Sequence, residues 1–233
     1  MDTKKNTILL TVIAIATLLV ALVGATFAYF TAQGGAAVDA NINVATGSAA
    51  SADFGTINDM MIYADATTFA KNAGNREGTS TGTVKWTAPG KITDSEGTET
   101  IPEEHERTFC YTVTIKVNTN TFEYTTEDHK AELLLNITKD AKEITTGITN
   151  LTYTSVVDGK GVTLNGWDIT TGTPTIEIPG DSGNVHKIIA DAGAEKTNSW
   201  QTKVTLVNLD ADQNGNTNKN FAAVLSFNKV KCQ

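Results

Sequence analysis

The chain has 233 residues, 40% of them hydrophobic and 7% aromatic, which suffices for one sizeable core and makes two large domains an unfavourable reading. Its 18 Lys and Arg stand against 26 Asp and Glu, and a net charge of −8 leaves no basic field for capturing nucleic acid. Threonine occurs 39 times, with 19 Gly and only 4 Pro, a composition that favours strands because β-branched side chains pack well on a half-buried pleated surface.

Lys4 and Lys5 precede an uncharged apolar run from Ile8 to about Phe30, the pattern of an export signal. A run of about 20 apolar residues would also span a bilayer as an uncleaved anchor. Small residues favour cleavage: Thr26 and Ala28 flank a site between Ala28 and Tyr29, and a polar stretch follows. Residues 1–28 therefore read as a signal peptide that meets the membrane and a signal peptidase only during export. Its removal leaves 205 residues with a net charge of −9, a secreted acidic protein.

Residues 29–50 are small and polar, with a flexible Gly34-Gly35 pair. In them Val38, Ala40, Ile42 and Val44 alternate with Asp39, Asn41 and Asn43, the period of a strand. Over residues 51–233 alternation predicts strands at 83–88, 108–117, 131–138, 151–157, 162–169, 200–208 and 221–230, with Gly, Asn and Asp clustered between them as turns. Short helices are expected only at 67–72 and 186–192. The predicted fold is all-β, an antiparallel jelly-roll-like β-sandwich.

In the strand at 108–117, Phe109, Tyr111, Val113, Ile115 and Val117 share one face, which is the expected core face. Phe221, Ala223, Leu225 and Phe227 share a face of the last strand. Cys110 and Cys232 fall on the opposite parity and can meet outside the core if the two strands are neighbours. In an exported chain a Cys110–Cys232 bridge is the preferred reading over two free thiols. Two cysteines are too few for a disulfide scaffold or a four-cysteine zinc site.

Residues 180–183 spell Gly-Asp-Ser-Gly, the nucleophile motif of chymotrypsin-like proteases, but neither His105 nor His129 sits in the small-residue context of that family's catalytic histidine. A triad needs an oriented base as well as a serine, so a β-turn is the expectation. His105-Glu106 lacks the second histidine of a zinc-protease helix, because position 109 is Phe. No catalytic or zinc constellation is expected. Asp210, Asp212 and Asn214, followed by Gly215, match the first half of an oxygen-ligand calcium loop, yet Phe221 stands where a bidentate Glu belongs. An acidic turn is the simpler reading and weak Ca2+ binding the alternative.

Three places resemble the TasA/camelysin family of secreted matrix-fibre proteins of Gram-positive bacteria. The junction Gly24-Ala25-Thr26-Phe27-Ala28-Tyr29-Phe30-Thr31 is similar to the one read by that family's dedicated signal peptidase. The strand at 109–118 ends in an Asn-rich turn, and Asp212-Gln213-Asn214 precedes a final aromatic strand. The resemblance implies a jelly-roll subunit that polymerises by donor-strand exchange through residues 38–44, a heterologous contact that builds an open filament. The competing expectation is a monomeric cell-surface adhesin or ligand-binding module whose residues 38–44 pair within their own domain.

Overall fold

The computed structural model describes residues 48–232 apart from 56, 71–72 and 95–96. The expected signal peptide, with its cleavage site at Ala28 and Tyr29, and the expected donor strand with Val38, Ala40, Ile42 and Val44 lie outside the described residues. In chain order the strands are β1 (Ser51–Phe54), β2 (Met60–Tyr63), β3 (Arg76–Thr87), β4 (Ile92–Thr93), β5 (Glu99–Thr100), β6 (Thr108–Asn120) and β7 (Leu133–Lys139). They continue with β8 (Lys142–Glu143), β9 (Tyr153–Val157), β10 (Thr163–Asp168), β11 (Thr175–Glu177), β12 (Val185–Ile189), β13 (Glu195–Leu206) and β14 (Asn220–Lys229).

One sheet has the order β1-β3-β13-β7-β10-β9, with β8 attached to β7. A second has the order β11-β6-β14-β2, with β12 pairing with β6 beside β11, and β4 and β5 form a separate two-stranded ribbon. Every ladder among the described residues is antiparallel. This is an all-β protein with the layering of a sandwich. Alternation builds its interior: Val84 and Trp86 of β3, Leu133, Leu135 and Ile137 of β7, and Trp200, Val204 and Leu206 of β13 share one core cluster with the inward residues of β6 and β14. Each tryptophan indole donates inside that core, Trp86 to the Arg107 carbonyl, Trp167 to the Ile144 carbonyl and Trp200 to the Tyr111 hydroxyl.

Two local expectations need correction. The segment expected to be helical at 186–192 contains β12, which pairs with β6 through His186↔Tyr111 and Ile188↔Phe109. His186 and Ile188 are buried while their neighbours are not, the two-residue period of a strand. Around 67–70 the chain makes successive turns: Thr68 N–H donates to the Asp65 carbonyl and Ala70 N–H to that of Thr67. The Asp65 carboxylate organises them, accepting from Thr67 and Thr68 and from the Arg76 guanidinium. These bonds hold its pKa well below the usual carboxylate range, Thr67 contributing most.

The first strands seal one side of the sandwich in an unequal way. β1 pairs with residues 84–87 of β3, and β2 pairs with residues 220–223 of β14. The chain thus passes from one sheet to the other between Phe54 and Met60. Gly78 of β3 lies against the Met61 backbone and Gly82 against the Phe227 ring, so β3 and β14 run in the same direction and β1 and β2 run opposite to both. A side chain at Gly78 would stand 2.7 Å from the Met61 carbonyl oxygen, and this close approach requires glycine.

Cys110 and Cys232 are joined by a disulfide, with their Cα atoms 5.2 Å apart. Cys110 is buried yet stands outside the main core cluster, on the face of β6 turned away from it. Next to it the Val230 N–H donates to the Cys110 carbonyl, so the bridge ties the end of the chain to β6. Closing so long a loop is expected to stabilise by about 4–5 kcal/mol in the chain-entropy model. The paired variant Cys110→Ser, Cys232→Ser should lower the urea midpoint accordingly, and wild-type protein under reductant should match the variant.

Candidate functional site

The sequence pointed to the acidic turn after β13, and the structure places a buried polar knot there. Its centre is Glu132, fully buried just before β7. Glu132 Oε1 accepts the Thr125 N–H and hydroxyl, both at 2.6 Å, and Oε2 accepts Gln213 Nε2 and Asn216 Nδ2, both at 2.7 Å. Four donors hold the carboxylate, and none of them is a cation. Gln213 Nε2 also reaches the Val207 carbonyl while Gln213 Oε1 accepts the Leu209 N–H. Asn216 clamps the backbone of Glu123, donating to its carbonyl and accepting its N–H. One carboxylate therefore fixes the loop after β13 against the loop before β7.

The residues of that loop between its two buried anchors and before them face outward. Asp210, Asp212 and Asn214 are exposed, and Asp212 Oδ1 accepts the Asn214 N–H to close an Asx turn. Among the described residues no three His, Cys, Asp or Glu side chains converge to hold a metal ion. Gln213 lies inside the resemblance motif and Asn216 just beyond it in the same loop, but Glu132 carried no sequence signal of its own. The visible hint was only a Glu interrupting an apolar stretch at 131–135.

The Gly180–Gly183 segment is a tight turn leading into β12. Gly180 N–H donates to the Gly183 carbonyl, and Ser182 and Val185 exchange backbone bonds. Asp181 accepts the Lys187 N–H, and no hydrogen bond among the described residues links Ser182 to a histidine. His105 pairs with Glu103, and His129 packs against Tyr124. The turn forms one wall of a cleft of about 750 Å³, whose other wall is the chain from Lys139 to Gly147.

His186 also lines this cleft, at 1% exposure, stacked on Tyr111 and edge-on to Trp200. Burial, with repulsion from Lys139, lowers its pKa to about 4, while Asp181 and a hydrogen bond to the Ile178 backbone act in the opposite direction. The ordinary value is 6.5, so as pH falls from 6.5 the unfolded chain takes up this proton first. The neutral ring therefore contributes stability above pH 6.5 that is lost as pH drops toward about 4. Urea midpoints at pH 7 and pH 5 should differ more in wild-type protein than in a His186→Phe variant.

The third feature is the set of sheet margins. β1 and β9 bound the first sheet and β2 bounds the second. Among the described residues the side of β14 away from β6 has no ladder beyond Ala223: residues 224–228 pair there with β6 alone. Unsatisfied strand edges are templates for pairing with another chain. No helix among the described residues is long and apolar enough to cross a membrane. Compared with known proteins, the chain matches no family model, no curated protein and no solved structure.

Proposed function

We propose that this chain is a secreted structural subunit of extracellular fibres, of the TasA/camelysin kind, that polymerises on a cell surface or in a biofilm matrix. In this reading the sandwich is a jelly roll. Export ends with cleavage after Ala28, and residues 38–44 of one subunit complete a sheet of the next, a homopolymer joined by heterologous contacts. The observation that carries the reading is the alternating run Val38, Ala40, Ile42, Val44, placed a few residues ahead of an antiparallel sandwich whose described strands leave edges unpaired among themselves. Such a pairing satisfies backbone hydrogen bonds and buries every second side chain.

One observation favours the monomeric adhesin as a second reading. Among the described residues β1 pairs with β3 alone, and a hairpin through 45–50 would lay residues 38–44 along its other side within the same molecule. Purified mature protein at mildly acidic pH, where the net negative charge is reduced, separates the two. Negative-stain micrographs are expected to show filaments; monodisperse particles over the whole concentration range would favour the adhesin.

A further inference from the structure

We propose that the acceptor for this exchange is the free side of β14 at residues 224–228, and that residues 38–44 of a second copy pair with it in the antiparallel sense. This inference rests on the fibre reading and adds to it the site and the direction of the contact.

Three observations select that edge. First, among the described residues it is the part of a central strand left without a ladder on one side. β2 covers β14 only as far as Ala223, and among the described residues no backbone hydrogen bond from the 55–59 connection reaches 224–228. Second, half-buried apolar side chains stand beside it. Phe227 is the most exposed member of the main core cluster, at 9%, and the half-buried Phe54 ring stacks on it at 6.0 Å. Ile57, also half-buried, packs against the same cluster. Third, residues 220–228 carry no charge and residues 38–44 carry one, Asp39, so the contact joins two weakly charged segments of a strongly acidic protein.

The direction follows from where the chain enters the sandwich. The Gly90 N–H donates to the Ser48 carbonyl, which pins Ser48 beyond the Thr87 end of β3. Residues 45–47 span at most about 10 Å, whereas a strand of seven residues is about 23 Å long. To reach its own 224–228 edge, the segment would have to finish near Ser48 and so run in the same direction as β14. That would give a parallel ladder in a fold whose described ladders are all antiparallel. A donor from another copy has no such tether and takes the antiparallel direction.

The test uses full-length mature protein with its native disulfide intact. An Asn41→Cys copy is mixed with a size-tagged Ser226→Cys copy under mild oxidation, since both side chains face away from the core in the antiparallel pairing. A crosslinked heterodimer in the mixture, absent from either copy alone, is expected. A Ser155→Cys partner on β9 is expected to give none. In wild-type filaments, amide exchange across 224–228 should slow at least about tenfold relative to monomer. Filaments that form without that protection, or that crosslink at Ser155, overturn the edge assignment and leave the fibre reading standing. An intramolecular crosslink in the Asn41→Cys, Ser226→Cys double variant overturns pairing between copies. Absence of both filaments and crosslink overturns the edge and the fibre reading together.

Discussion

Replacing Glu132 with leucine is expected to cost the folded unit about 2–4 kcal/mol, the loss of a charged acceptor that four neutral donors share. Leucine fills the space, so the cost is polar. Gln213 Nε2 and Asn216 Nδ2 keep second acceptors in the carbonyls of Val207 and Glu123, but the Thr125 N–H and hydroxyl lose the partner that the structure shows for them. Thr125 is half-buried, so each of its unpaired donors costs toward the lower end of about 1–3 kcal/mol. The loop before β7 and the loop after β13 should then loosen together, because the carboxylate is what joins them. Glu132→Gln should cost less than leucine yet remain destabilising, since an amide brings donors to a site built from donors. The urea midpoint measures both. A control at an exposed pair, Glu195→Gln opposite Lys85, should change stability by less than about 1 kcal/mol. A leucine variant as stable as the control would mean that the knot contributes little.

Replacing Ile42 with aspartate is expected to abolish filament growth while leaving the sandwich folded. In the proposed contact Ile42 is the central apolar side chain on the buried face of the donor, and a charge there must be desolvated without a partner at a cost of several kcal/mol. At about 4 kcal/mol each subunit contact weakens roughly a thousandfold. Asn41→Asp and Asn43→Asp lie on the other face and should alter assembly far less. Sedimentation and negative-stain microscopy read the outcome, and circular dichroism checks the fold. Filaments unchanged in number and length, or an unfolded variant, would remove residues 38–44 as an exchanged strand.

The long strands were legible because their inner positions are apolar. Phe109 to Val117 and Phe221 to Phe227 announce a buried face by simple alternation. The first half of β3 was hidden for the opposite reason: its inward positions are Gly78, Ser80 and Gly82, kept small because Met61 and Phe227 press against them. β2 was hidden by uniform hydrophobicity, since Met60 and Ile62 are buried while Met61 and Tyr63 are exposed. β12 read as a helix because a short apolar run has no decisive period, and its pairing with β6 is a long-range fact. At the polar knot Gln213 lay within a visible motif. Glu132, 81 residues away in sequence, became its partner only through the fold.

The passage of the N-terminal run from β3 to β14 defines a load path. Tension applied along β1 from its N-terminal side would meet the Ser48–Gly90 hydrogen bond and then draw β1 lengthwise past β3, shearing their four residue pairs together instead of peeling them one by one. Should they slip, the next resistance is the four-pair ladder of β2 on β14, in the other sheet. The side of the sandwich that receives a pull therefore has two short clamps in series, and the first can yield while the second still holds the core shut.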